Sequence, residues 1–238
     1  MNLPKSYQTT INHLQSRLPQ LLGDNLYALV LYGSAVRGDV VVKESDINIL
    51  IVLEVSTPHA HNAIFSEIQA SIVIEPFIIA RNEMQRSFKA FAIKFRSIQR
   101  NYRVLHGEDP LLSFNVDEDH IRFLAEQAVR NLRLRTVHGF MKLRDQPSAY
   151  AQFIEAMYAP IFTDISEILR IEHQHVPKDY RDRITVIGEF FKTDVAGLNQ
   201  LSAVQHHQRR LNKQAVFEIH SHVFNFLNHV VNWIESKW

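Results

Sequence analysis

The sequence predicts an α+β protein, with an N-terminal mixed sheet flanked by helices and then a C-terminal helical bundle. Three observations carry that expectation. Apolar runs rich in β-branched residues, LYALVLY at 26–32, SDINILIVLE at 45–54 and SIVIEPFIIA at 71–80, are confined to the first half of the chain. Continuous runs of this kind suit strands covered on both faces. Amphipathic segments stand between them, and from Glu118 onward strand-like alternation stops and helical periodicity alone remains.

Taken in order, residues 7–22 place Ile11, Leu14, Leu18 and Leu21 or Leu22 at helical intervals, and Gly23 is suited to end that helix. The first strand leads into a loop from Gly33 to Ser45, and the second strand begins where that loop stops. Thr57-Pro58 has the form of an N-cap and first-turn proline for a helix running to about residue 70. After the third strand, 83–100 reads as one long helix, and NYRVLHGEDPLL at 101–112 closes the segment with a glycine and proline turn. These elements predict a domain over residues 1–115. A second domain over 118–238 contains amphipathic stretches at 118–144, 149–173, 182–193 and about 199–238, whose apolar stripes need one another as partners.

Composition narrows the class. With 238 residues, 46% hydrophobic and 21% charged, the chain has an ordinary globular balance and enough length for one large or two modest domains. Its 26 basic and 25 acidic side chains leave a net charge of +1, which gives no long-range pull on nucleic acid. The absence of cysteine excludes disulfides, thiolate metal sites and a cysteine nucleophile. No apolar run approaches the ~18 residues needed to cross a membrane. The first twenty residues lack a signal-peptide core, so a cytoplasmic location is the default expectation.

The chemistry concentrates in GSAVRGDVVVKESDIN at 33–48. Side chains two apart on a strand point the same way, so Asp46 and Asn48 project together at the mouth of the second strand. Gly33 permits close backbone approach to an anion. Ser34 adds a hydroxyl and, if it starts a helix, exposed amides suited to phosphate. Arg37 and Lys43 can neutralise further phosphate charge. Glu75 lies within the apolar third strand next to Pro76, where a carboxylate must be hydrogen-bonded, paired, metal-bound or at an exposed end. If the second and third strands are neighbours, Glu75 joins Asp46 and Asn48 in one cluster.

Residues 29–54 resemble the signature of the nucleotidyltransferase superfamily that includes DNA polymerase beta and the small antibiotic nucleotidyltransferases. The match is Gly33-Ser34, then Ser45-Asp46-Ile47, with Asn48 where the family has its second metal-binding carboxylate and Glu75 where its third, base-like carboxylate falls. The helical segment 83–100 followed by VLHGEDPLL, and the helical C-terminal half, resemble the aminoglycoside-type and stand-alone members. The resemblance implies transfer of a nucleoside monophosphate from ATP or another NTP to a hydroxyl of a small acceptor, with release of pyrophosphate. It also implies two Mg²⁺ ions at Asp46, residue 48 and Glu75, with Gly33-Ser34 gripping the phosphates. Asn48 departs from that pattern. Its amide offers an oxygen but no charge, and a unit charge ~4 Å from a divalent ion is worth about 8 kcal/mol at an effective dielectric near 20. Glu44 or Asp39 would have to bend toward the ions to compensate.

Other readings stand beside this one. A nucleotide-binding module with weak or no catalysis would use its helical domain to contact another macromolecule or to form a homodimer. Arg133 and His138 have the Arg-x4-His spacing of helical HEPN ribonucleases. His59 and His61 fit an exposed helix start. His206 and His207 beside Arg209-Arg210 make a local basic patch, HQH at 173–175 is too short to specify zinc, and Phe140, Phe153, Tyr158, Phe162, Phe190 and Phe191 read as core.

Overall fold

The computed structural model describes residues 3–38, 40, 46–69, 74–205 and 211–238. The chain divides into two compact units, Met1–Val116 and Asp117–Trp238. In the first, helix α1 (Lys5–Leu22) and a 3-10 turn lead into strand β1 (Leu26–Tyr32), the single-turn helix α2 (Ser34–Arg37) and strand β2 (Ile47–Leu53). Helix α3 (Pro58–Ile68), strand β3 (Ile74–Ala80), helices α4 (Arg81–Ser87) and α5 (Ala92–Arg100) and strand β4 (Tyr102–Gly107) complete it.

The strands form one mixed sheet in the order β3-β2-β1-β4, with β1 antiparallel to β2 and β4, and β2 parallel to β3. The apolar runs are explained by burial on both sides. Leu29, Leu31, Ile47, Ile49, Ile51 and Leu53 face Tyr7, Ile11, Leu14 and Leu18 of α1 and Ala60 and Ile64 of α3. Val30, Tyr32, Leu50, Val52 and Ile79 pack with Met84 of α4, Phe95 and Ile98 of α5, and Phe88 and Phe114. Thr57 caps α3 by accepting from the Ala60 N–H, with Pro58 in the first turn, as the sequence predicts.

Two expectations are corrected. The single helix over 83–100 is broken between Ser87 and Ala92. Seven residues of unbroken helix would separate Phe88 and Phe95 by about 10.5 Å along the axis, whereas their rings meet edge to face at 5.0 Å and both are buried. The turn gives both rings access to the same face of the sheet. Residues 101–112, expected only to close the segment, also supply β4, whose Tyr102 and Val104 face one core and Leu105 the other.

The second unit contains helices α6 (Glu118–Leu143), α7 (Pro147–Ile171), α8 (Tyr180–Phe191), α9 (Ala196–Gln205) and α10 (Lys213–Lys237). Helix α6 packs on α7 and α10, and α9 packs on α7 and α10. Gly139 sets the α6–α7 approach, because a Cβ there would fall 2.3 Å from the Phe153 ring. Arg130 bridges Glu126 and Glu235 at 2.7 Å each, linking α6 to α10. Among the described residues no helix is long and apolar enough to cross a membrane.

Burial first, with Glu167 adding repulsion and Arg135 opposing, pushes the Asp164 carboxyl up to about 6. The raised value means that Asp164 supports folding fully below its unfolded pKa near 3.9 and loses that support as pH rises through about 6. A shift of ~2 units corresponds to about 3 kcal/mol, which solvent at this half-buried side chain trims to roughly 1–2 kcal/mol. Asp164→Asn is therefore expected to raise stability at pH 7 and to leave it unchanged near pH 4, as read from urea melts at the two pH values.

Candidate functional site

The site forms where β1 ends. Gly33, at φ 78° and ψ −143°, turns the chain from Tyr32 into α2, a backbone region glycine enters without a Cβ penalty. Its N–H donates to the Asn101 carbonyl at 3.0 Å, and its own carbonyl accepts from the N–H groups of Val36 and Arg37 at 3.1 Å. The turn is thereby fixed to the junction between α5 and β4. The turn passes against the Asn48 side chain, whose Nδ2 would lie in ordinary contact, 3.4 Å, from a Cβ on Gly33, so it is the positive φ and not crowding that calls for glycine.

Register aligns the rest. Tyr32 pairs with Tyr102 on β4 and with Asn48 on β2, and Asn48 pairs with Glu75 on β3. Directly paired residues share a face of a sheet. Tyr102, Tyr32, Asn48 and Glu75 thus form one row across the sheet, on the face that α4 and α5 cover. Glu75 is exposed on the edge strand, which also accommodates Pro76 because an edge residue need not donate its N–H to a neighbour.

Lys94 of α5 projects toward this row. Its Nζ lies 5.2 Å from the Tyr32 ring centroid and 5.7 Å from that of Phe77, two residues beyond Glu75 on the same face. Lys94 is exposed as a residue, yet partial burial of its ammonium against the two rings lowers the lysine pKa, and the negative charge of Glu75 works against that fall. Burial, then the Glu75 charge, pushes the Tyr32 phenol up to about 12, so it stays protonated at neutral pH. Tyr102 is pushed up to about 12 as well, chiefly by donating to Asp109 Oδ2 at 2.7 Å.

These couplings give an expected result. Glu75→Gln removes the charge that supports the Lys94 cation and disfavours the Tyr32 anion. The Lys94 pKa should fall further and the Tyr32 pKa should drop below about 12. NMR titration of the lysine Cε resonances and an ultraviolet tyrosine titration read the two shifts, and movement in the opposite direction would contradict this geometry.

The structure brings Gly33, Asn48 and Glu75 together. Asp46 is half-buried one residue before β2, in phase with Asn48, Ser34 is half-buried at the start of α2, and Arg37 is exposed at its end. Lys43, Asp39 and Glu44 lie outside the described residues, as do His206, His207, Arg209 and Arg210. Tyr32 and Lys94 escape a reading based on motifs. Lys94 carries no sequence signal of its own, being one of three cations, with Arg96 and Arg100, on an amphipathic helix.

A two-Mg²⁺ centre does not fit the described residues. No group of three acidic or histidine side chains that could hold a metal occurs among them, the middle of the row is an uncharged amide, and an ammonium already points at Glu75's neighbourhood. The remaining candidates have structural roles or stay at the surface. Arg133 donates to Asn228 at 2.9 Å, tying α6 to α10, while His138 is exposed. His61 bonds to Ser56 at 2.8 Å, and His59, His173 and His175 are exposed. Tyr158, Phe162 and Phe191 are buried, while Phe140, Phe153 and Phe190 are partly so.

No known family profile matches this sequence, and no curated protein matches it. Among solved structures the chain is similar to the spectinomycin adenyltransferase AAD(9) from Enterococcus faecalis, solved with ATP and spectinomycin. The TM-score is 0.58 at 14% identity, covering 96% of this chain and 99% of that one. The likeness establishes the fold that the two chains share, an α+β unit followed by a helical region.

Proposed function

We propose that this chain binds ATP or another nucleoside triphosphate at the Gly33-Ser34 turn, on a nucleotidyltransferase fold whose site is not equipped for two-metal transfer. The observation that carries the reading is the Tyr32, Asn48 and Glu75 row. It sets the glycine turn against the strand ends where the fold is suited to take phosphates, and it has an amide at the position that would have to bridge two metals. Gly33 and Ser34 approach the phosphates, Asp46 and Glu75 are the acidic side chains of the cleft, and Arg37 and Lys43 extend its positive charge. The helical region serves to contact a second macromolecule or a second copy of the chain.

The second reading is nucleotidyl transfer to a small hydroxylated acceptor. It is favoured by the extent of the likeness, which runs through both halves of an adenyltransferase solved with its acceptor. Calorimetric titration of ATP into the full chain, followed by pyrophosphate release over a panel of aminoglycosides and other polyols, separates the two. Binding without turnover supports the first reading, turnover dependent on Asp46 and Mg²⁺ establishes the second, and absence of any ATP binding removes both.

A further inference from the structure

The site carries a cation of its own. Lys94 is itself exposed, but its helix α5 is anchored by Phe95 and Ile98, both fully buried, so the backbone that carries the lysine is fixed by packing and not by a flexible loop. Its ammonium lies over two aromatic faces at 5.2 and 5.7 Å, an arrangement that stabilises a cation without using a carboxylate. Tyr32 and Phe77 each stand beside a site residue, Tyr32 paired with Asn48 and Phe77 two places along β3 from Glu75. The charge of Glu75 acts on Lys94 and on Tyr32 alike, so the carboxylate, the ammonium and the phenol share one electrostatic environment.

The charge balance has moved in two ways that add to each other. Asn48 removes a negative charge from the row, and Lys94 adds a positive one beside it. A divalent ion entering here would meet the carboxylates of Asp46 and Glu75 with part of the Glu75 charge already offset, and it would be repelled by the ammonium on the same side of the sheet. A triphosphate meets the opposite situation, because a fixed cation faces it in a site where the competing negative charge has been reduced.

We propose that Lys94 is the resident cation of this site, held over Tyr32 and Phe77 on the face of the sheet that carries Glu75, and that the chain consequently binds nucleoside triphosphate without a divalent metal. The metal-free binding rests on the nucleotide reading above, whereas the exclusion of the divalent ion does not. The lysine keeps the phosphate-binding half of the fold's chemistry while the metal-binding half is lost.

Two titrations of the full-length chain test this, each on the parent and on Lys94→Met, which keeps an apolar stem in the same place. With ATP in excess chelator, the parent is expected to bind and Lys94→Met to bind at least ~10-fold more weakly. With Mn²⁺ alone, followed by the loss of its free electron-paramagnetic signal, Lys94→Met is expected to bind at least ~10-fold more tightly than the parent, and Lys94→Met/Asn48→Asp more tightly again. If the parent binds ATP only with a divalent ion, or if Lys94→Met leaves both titrations unchanged, the proposal is overturned. If ATP fails to bind under every condition the nucleotide reading falls, and the Mn²⁺ titration still decides Lys94. A gain in the variant upholds its role as the excluding cation, and no gain overturns it.

Discussion

Asn48→Asp is expected to make the stability of this protein depend on divalent metal, whereas the parent's does not. The substitution places a carboxylate directly beside Glu75 in register and in phase with Asp46, with Gly33 packed on its other side. Like charges across a strand pair cost only about 0.2–1 kcal/mol, so the metal-free variant folds with a small loss. Mg²⁺ or Mn²⁺ then binds the folded variant and not the unfolded chain, and an excess of 100 times the dissociation constant stabilises by about 2.7 kcal/mol. Melts with and without metal measure the difference. Lys94 remains in the single variant, so the gain should be smaller than in Asn48→Asp/Lys94→Met. A parent that is itself stabilised by Mg²⁺ as strongly as the variant would show that the amide is no obstacle. Pyrophosphate release that appears only in the variant would show a sound scaffold lacking one charge, and continued silence would rule out the transfer reading.

The second large effect is on the fold itself. Phe95 is fully buried and its ring meets those of Phe77, Phe88 and Phe114 at 5.7, 5.0 and 5.9 Å. Phe95→Ala is expected to destabilise the first unit by about 3–5 kcal/mol, because the three remaining rings belong to three separate segments that cannot all collapse into the space left behind. Domains of this size carry about 5–15 kcal/mol in total. If the proposed nucleotide binding holds, ATP affinity should fall with stability, since Phe95 adjoins Lys94 and its helix ends at the Asn101 carbonyl that holds Gly33. Chemical denaturation of the variant measures the loss, and a value below about 1 kcal/mol would contradict this account of the core.

Much of the first unit was legible as sequence because its strands are covered on both faces. Burial on both sides forces apolar residues at consecutive positions, which marks β1, β2 and β3 plainly. Strand β4 is half-covered at the sheet edge, its pattern is short and diluted by Arg103 and His106, and it did not stand out. The break between α4 and α5 was illegible for another reason. Phe88 and Phe95 keep a spacing that suits one continuous helix, and only the requirement that both rings reach the same pocket interrupts it.

The sequence by itself determined the kinds of element, the glycine turn before an acidic strand start, and the substitution of an amide for a carboxylate at position 48, because each is a local property of neighbouring residues. Only the tertiary structure decided that Asn48 stands between Tyr32 and Glu75, and that a lysine from a helix some twenty residues further on lies over the same row. Strand register and helix docking follow from how the two cores close over the sheet. Charge at a site depends on distances across those contacts, which a one-dimensional pattern does not contain.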